Sequence, residues 1–179
     1  YQCNAESGIL CEKSGPTEIA WIPPLSLAAH YPSATSVPIV FTVTTYHGDK
    51  EIGSSAVTVT YAVPESVKPA VSLEVSDLMG CFAKYGAYVQ KKSRLRIAVA
   101  ASANQGARIT AYRIEADGKN YTNSTAITEP ISGSGDLTVK ATVTDTRGRT
   151  ETASLTIPAF PLPRELTRAT SPPQAPGEV

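Results

Sequence analysis

Two histidines, three cysteines and a scatter of carboxylates are the residues of this sequence reactive enough to suggest catalysis or metal binding. His30 and His47 belong to no H-E-x-x-H helix and to no Cys/His cluster, so a zinc hydrolase finds no ligand set. Cys3, Cys11 and Cys81 lack C-x-x-C spacing, and an odd count fits no complete disulfide framework. Three reduced thiols in a protein folded in a reducing cytosol is the expectation, with a Cys3–Cys11 bridge as the alternative. A serine hydrolase needs G-x-S-x-G on a strand-to-helix turn, and the nearest approach is Gly133-Ser134-Gly135 between two strand patterns. Asp49 with Glu51, and Asp145 with Glu151, are carboxylate pairs within turn-like segments, where a glycosidase would need them across a cleft. Phosphate-cradling glycine loops and D-x-D-x-D-G calcium loops are missing. The sequence therefore predicts no catalytic residue, no cofactor and no metal.

One segment has binding rather than catalytic chemistry. Leu78 to Ser93 interleaves Phe82, Tyr85 and Tyr88 with Lys84, Lys91 and Lys92 around Gly80 and Gly86. Aromatic faces stack on sugars, and lysine point charges beside them suit an anionic substituent, so Phe82, Tyr85, Tyr88, Lys91 and Lys92 are the candidate ligand or partner contacts. The competing expectation is that Tyr85 and Tyr88 close one end of a sandwich while the lysines stand in water.

Charge excludes other partners. Sixteen Lys and Arg balance sixteen Asp and Glu for a formal net charge of +0. That leaves no electrostatic footprint for nucleic acid or an anionic membrane. No apolar run approaches the roughly 18–20 residues of a spanning helix, and the start of the chain lacks the basic segment and apolar core of a signal peptide, so a soluble chain is expected.

The elements that would hold these residues are strands. Val37, Ile39, Phe41 and Val43 fall on every second position, with Thr42 and Thr44 among the residues between; after Tyr46-His47-Gly48-Asp49-Lys50 the alternation resumes at Val57, Val59, Tyr61 and Val63. This predicts a hairpin with one buried face. One hundred positions later the pattern returns: Leu137, Val139, Ala141 and Val143, the turn Asp145-Thr146-Arg147-Gly148-Arg149, then Ala153, Leu155 and Ile157. Thr42, Val43, Thr44, Gly48 and Ser54 are matched by Thr142, Val143, Thr144, Gly148 and Ser154.

Short strands are also expected at Gly8–Lys13, at Glu18–Trp21, around Val71–Val75 and Leu95–Val99, and on either side of an Asp117-Gly118 turn. Pro24 to Ala29 predicts a single helical turn. The fold class read from this pattern is all-β: two tandem immunoglobulin-like or fibronectin III-like antiparallel β-sandwich domains, at residues 1–64 and 69–160. A linker at 65–68, between Pro64 and Pro69, joins them, and a Pro-rich extended tail follows at 161–179.

Several longer stretches carry a family resemblance. Trp21 to Ala28 (WIPPLSLA), Pro32 to Ser36 (PSATS), Thr44 to Gly48 (TTYHG) and Ile52-Gly53 resemble a module of the minor structural and anti-receptor proteins of siphophage tails that infect Gram-positive bacteria. Lys84 to Ser93 (KYGAYVQKKS), Ala116 to Tyr121 (ADGKNY), Ser132 to Gly135 (SGSG) and Ala141 to Thr150 (ATVTDTRGRT) resemble the module that follows it there. The resemblance spans residues 1–159. It implies a virion or prophage tail component of tandem immunoglobulin-like modules, assembled in the bacterial host cytoplasm, with other tail proteins as partners and no catalytic motif. Three functions are then in play: a structural spacer of the tail fibre or tip, an adhesin for a host cell-surface carbohydrate, and, weakest, a fragment of a cell-wall hydrolase.

Overall fold

The computed structural model describes residues 1–12 and 18–162, so the Pro-rich tail predicted at 161–179 lies outside the described residues beyond Leu162. The chain is all-β with antiparallel sheets, as the alternation predicts.

The second unit is the clearer sandwich. Its strands are β5 (Ala70–Asp77), β6 (Tyr88–Val89), β7 (Leu95–Ser102), β8 (Ile109–Ala116), β9 (Lys119–Tyr121), β10 (Thr125–Ile127), β11 (Gly135–Asp145) and β12 (Thr150–Phe160), with helix α1 (Cys81–Tyr85) between β5 and β6. A three-stranded sheet, β10-β7-β5, faces a five-stranded sheet, β6-β12-β11-β8-β9, which is the strand order of a fibronectin III-like sandwich. Alternate residues of both sheets meet in one core: Leu95, Ile97 and Val99 from β7, Ile114 from β8, Val139, Ala141 and Val143 from β11, Ile157 and Ala159 from β12. Each fully buried aliphatic side chain of this kind contributes about 1.5–3 kcal/mol. The β8–β9 turn at Asp117 (φ 47°) and Gly118 (φ 74°) has both central residues left-handed, the twist that a two-residue hairpin requires.

Residues 1–64 differ from a two-sheet unit. Their described residues form one sheet, β2-β1-β3-β4, from β1 (Gln2–Cys3), β2 (Glu6–Ser7), β3 (Ser36–His47) and β4 (Lys50–Ala62). The strands predicted at Gly8–Lys13 and Glu18–Trp21 are not found in the described part of those spans, where Pro23 and Pro24 soon follow and β1 and β2 take the pairing instead. The helical turn predicted after Pro24 is present as a 3-10 turn, Leu25–His30. It covers the sheet: Leu27 and Ala28 pack with Cys3, Val37, Ile39, Val63 and Val67, and Tyr1, Trp21, Tyr31, Phe41 and Tyr61 lie against that cluster.

This core reaches Val67, inside the stretch predicted as a linker at 65–68. Only the root of the β3–β4 hairpin shares it. Val43, Val57 and Val59, expected inside by alternation, are exposed, because among the described residues neither the 3-10 turn nor a second sheet extends over them. The three cysteines are free thiols, Cys3 and Cys81 buried and Cys11 exposed.

Candidate functional site

The aromatic and lysine segment divides in two. Asp77, at the end of β5, accepts hydrogen bonds from the Met79 N–H (3.1 Å) and the Phe82 N–H (2.9 Å), which seats α1 between the left-handed glycines Gly80 and Gly86. Phe82 and Tyr85 then point outward, 46% and 60% exposed, with Lys84 Nζ 5.0 Å from the centre of the Tyr85 ring. Tyr88 is 5% exposed and sits in the sandwich core, its hydroxyl donating to the Val75 carbonyl at 3.3 Å and its ring 4.9 Å from that of Phe82. Burial, then the Asp77 charge, pushes its pKa above the usual tyrosine value.

Tyr88 therefore cannot stack on a ligand, a correction forced by its place on β6 beside β12. Lys91, at φ 60°, donates its N–H to the Ile131 carbonyl and Lys92 its N–H to the Val89 carbonyl, with both side chains exposed. Of the five candidates, the structure joins Phe82 to Tyr88, leaves Tyr85 beside Lys84 in solvent, and places the two lysines in the next turn.

The most organised polar constellation lies elsewhere, where the two units meet. At the end of the 3-10 turn the Ala28 and Tyr31 carbonyls already accept the N–H groups of Tyr31 and Ala34, at 3.1 Å each, and their second lone pairs take further donors at the junction. The turn between β11 and β12 supplies them. Arg147 Nη2 donates to the carbonyls of Ala28 (2.8 Å) and Gln105 (2.7 Å), with that of Tyr31 at 3.4 Å; its Nη1 reaches Asn104 (2.9 Å) and its Nε reaches Ala34 (3.2 Å). One planar guanidinium thus ties the first unit to the 104–105 loop of the second, a task for which the arginine fork suits better than an ammonium.

Arg149 does the same for the connecting segment, with Nη1 on the Val67 carbonyl and Nη2 on that of Val63, each at 2.6 Å. Its Nε is buried without a partner, and Glu65 Oε1 lies 3.8 Å from Nη2. Asp145 is buried beneath the turn and accepts the Arg147 and Arg149 N–H groups at 2.8 and 2.9 Å. Burial lowers the Arg147 pKa, the Asp145 carboxylate opposes that, and Arg149 adds to it.

The rest of the junction is equally close. The Thr146 hydroxyl donates to the Pro32 carbonyl at 2.6 Å, and Asn104 Nδ2 to that of Lys68 at 2.7 Å. Gly106, at φ 72°, lies so near the first unit that an added Cβ would meet the Ala29 oxygen at 2.9 Å. Gly106→Ala should therefore destabilise the chain by about 2 kcal/mol or more, against about 1 for Gly118→Ala, where the φ is similar but no atom lies within 4 Å. Equal urea midpoints for the two variants would mean that the units do not touch there.

Lys68 and Glu151 form an ion pair at the junction's margin; that hydrogen bond, more than the other local influences, holds the Glu151 pKa below its model-compound value of 4.5. A depressed carboxylate pKa adds stability that is present above the unfolded pKa and lost as pH falls through the folded one. The stability gap between the chain and Glu151→Gln should accordingly be larger at neutral pH than at pH about 3, read from urea melts at both. A gap that widens on acidification would reverse the sign.

The junction was missed in the sequence because its acceptors are main-chain carbonyls, which leave no residue-type signal; two arginines in one five-residue β-turn were the only available hint. The carboxylate pair Asp145 and Glu151 is not a catalytic pair, since one accepts amide protons and the other binds Lys68. Among the described residues no group of three or more His, Cys, Asp or Glu could hold a metal ion, and no helix is long and apolar enough to cross a membrane.

Comparison with known proteins adds a family. Residues 1–157 match the family described as "Siphovirus protein of unknown function (DUF859)". No curated protein matches the chain. Among solved structures, the fibronectin(III)-like modules of Clostridium thermocellum CbhA are similar at 15% identity over 72% of this chain and 87% of that chain, with a TM-score of 0.41.

Proposed function

The chain belongs to this siphovirus protein family, and from that membership we propose that it is a non-enzymatic structural component of the phage tail, in its fibre or tip, where the two β units form a rigid spacer. The observation that supports this most is the junction: a spacer has to hold the angle between its units, and Arg147 and Arg149 bind carbonyls of the first unit, the connecting segment and the second unit together. Its partners on this reading are other tail proteins and its place is the virion. Immunogold labelling of purified virions with antibodies to this chain tests it. Label at the far end of the tail is expected; label on the head, or washed virions free of the protein, would overturn it.

A second reading, attachment to a bacterial surface carbohydrate, is favoured by one observation, the outward-facing Phe82 and Tyr85 beside Lys84. Here a glycan array probed with the chain should give a signal that Phe82→Ala with Tyr85→Ala abolishes at unchanged melting temperature. A silent array leaves the spacer alone.

A further inference from the structure

Among the described residues the outer part of the β3–β4 hairpin has no cover. There β1 reaches β3 only at Gln2 opposite Val40, so beyond that point the described hairpin is a two-stranded ribbon with β4 as its edge. Isolated two-stranded ribbons are marginal in water, and open edges are ordinarily guarded by charge or proline. Between Ile52 and Ala62 this edge has neither.

The register sorts the two faces. Phe41 pairs with Val57, Ile39 with Val59, and Val43 with Ser55 on the side that continues from the core; Thr42, Thr44, Ser54, Ala56, Thr58 and Thr60, with Pro38 and Val40 near the root, occupy the other. The apolar side stands in solvent, with Val43 68%, Val57 59% and Val59 47% exposed. Trp21 packs edge-on against Phe41, the partly buried middle of the strip.

We propose that this strip is a self-association surface, on which the same face of a second copy of the chain packs across a two-fold axis. Charge selects the copy over other occupants: residues 36–46 and 52–64 carry no charged side chain, so the strip gives a charged partner nothing to recognise and does not repel its own duplicate. With the ribbons antiparallel and the axis beside the Phe41–Val57 pair, Val57 meets its own copy and the Val43 end of each strip meets the Val59 end of the other, the self-complementarity that an isologous contact demands. Size sets the strength. The exposed parts of Phe41, Val43, Val57 and Val59 sum to on the order of 300 Å² of apolar area; since homodimer interfaces are about 65% apolar, that implies about 450 Å² per copy, the size of a weak, concentration-dependent contact rather than a permanent one.

Sedimentation of the whole chain from about 1 to 500 µM tests this, a range that brackets ordinary homodimer affinities. A concentration-dependent dimer is expected. Val43→Asp with Val57→Asp should weaken it at least about tenfold without moving the melting temperature of the single chain, because both side chains face water there. Thr42→Asp with Thr58→Asp, on the opposite face, should leave the dimer intact. If the valine-to-aspartate pair disturbs folding, Val43→Thr with Val57→Thr gives the same reading with less perturbation. A chain monomeric throughout the range overturns the proposal, as does a dimer indifferent to the valine variants or one broken equally by the threonine pair.

Discussion

Arg147→Ala should lower the stability of the chain by about 3–5 kcal/mol, the largest effect expected of any single surface-loop substitution here. The guanidinium is buried and its hydrogen-bond partners are carbonyls of Ala28, Ala34, Asn104 and Gln105, with Tyr31 at longer range. Truncation removes the charge and leaves a cavity; the Ala34 and Gln105 carbonyls lose the donor that Arg147 supplies, while those of Ala28, Tyr31 and Asn104 keep one backbone N–H each, and a buried acceptor that loses its donor costs about 1–3 kcal/mol where water cannot enter. Arg147→Lys should fall between, since an ammonium reaches fewer of the carbonyls than the fork does. Guanidinium melts measure both. Because the same contacts tie the two units together, the single transition of the parent chain should separate into two in Arg147→Ala. A loss under about 1 kcal/mol would mean that water replaces the arginine without penalty.

The second large effect lies in the first unit. Ile39→Ala removes a fully buried side chain next to Leu27, Val37 and Val63 and should cost about 2–5 kcal/mol, whereas Val43→Ala, four residues along the same face of the same strand, should stay within about 0.5. Urea midpoints taken at dilutions where the chain is monomeric give the comparison. Equal midpoints would place Val43 under a cover that the described residues do not contain.

That contrast also marks how far the sequence could be read. Alternation reports which side chains share a face of a strand, and it located both long hairpins and the turn at Asp117-Gly118. It does not report whether the face meets anything. Leu95, Ile97 and Val139 are covered because a second sheet lies opposite, while Val43, Val57 and Val59 carry the same pattern beyond the end of their cover. Tyr88 shows the converse limit. Its spacing from Phe82 and Tyr85 looks like a ring cluster for a ligand, but two residues of parallel pairing with β12 turn it into the core. The junction was the least legible part, since it depends on positions 28–34 and 104–105 meeting around 147, a fact of tertiary geometry carried by backbone oxygens.

The two matching hairpins have opposite fates: the turn with Gly48 ends the solvent-exposed β3–β4 ribbon, and the turn with Gly148 is locked between units. The locked one has a kinetic consequence. The carbonyls that Arg147 takes from the first unit lie 113 to 119 positions upstream, so this contact closes one of the longest loops in the chain. Synthesis delivers the first unit's core, which ends at Val67, well before Arg147 arrives. A bond that forms after the rate-limiting step leaves the folding rate alone and acts on the reverse process. Arg147, as a long-range contact expected to form late, should set how long the folded chain lasts rather than how quickly it forms: its loss is expected to appear in stopped-flow traces as faster unfolding with an unchanged refolding limb, and a slowed refolding limb would place the contact in the folding nucleus.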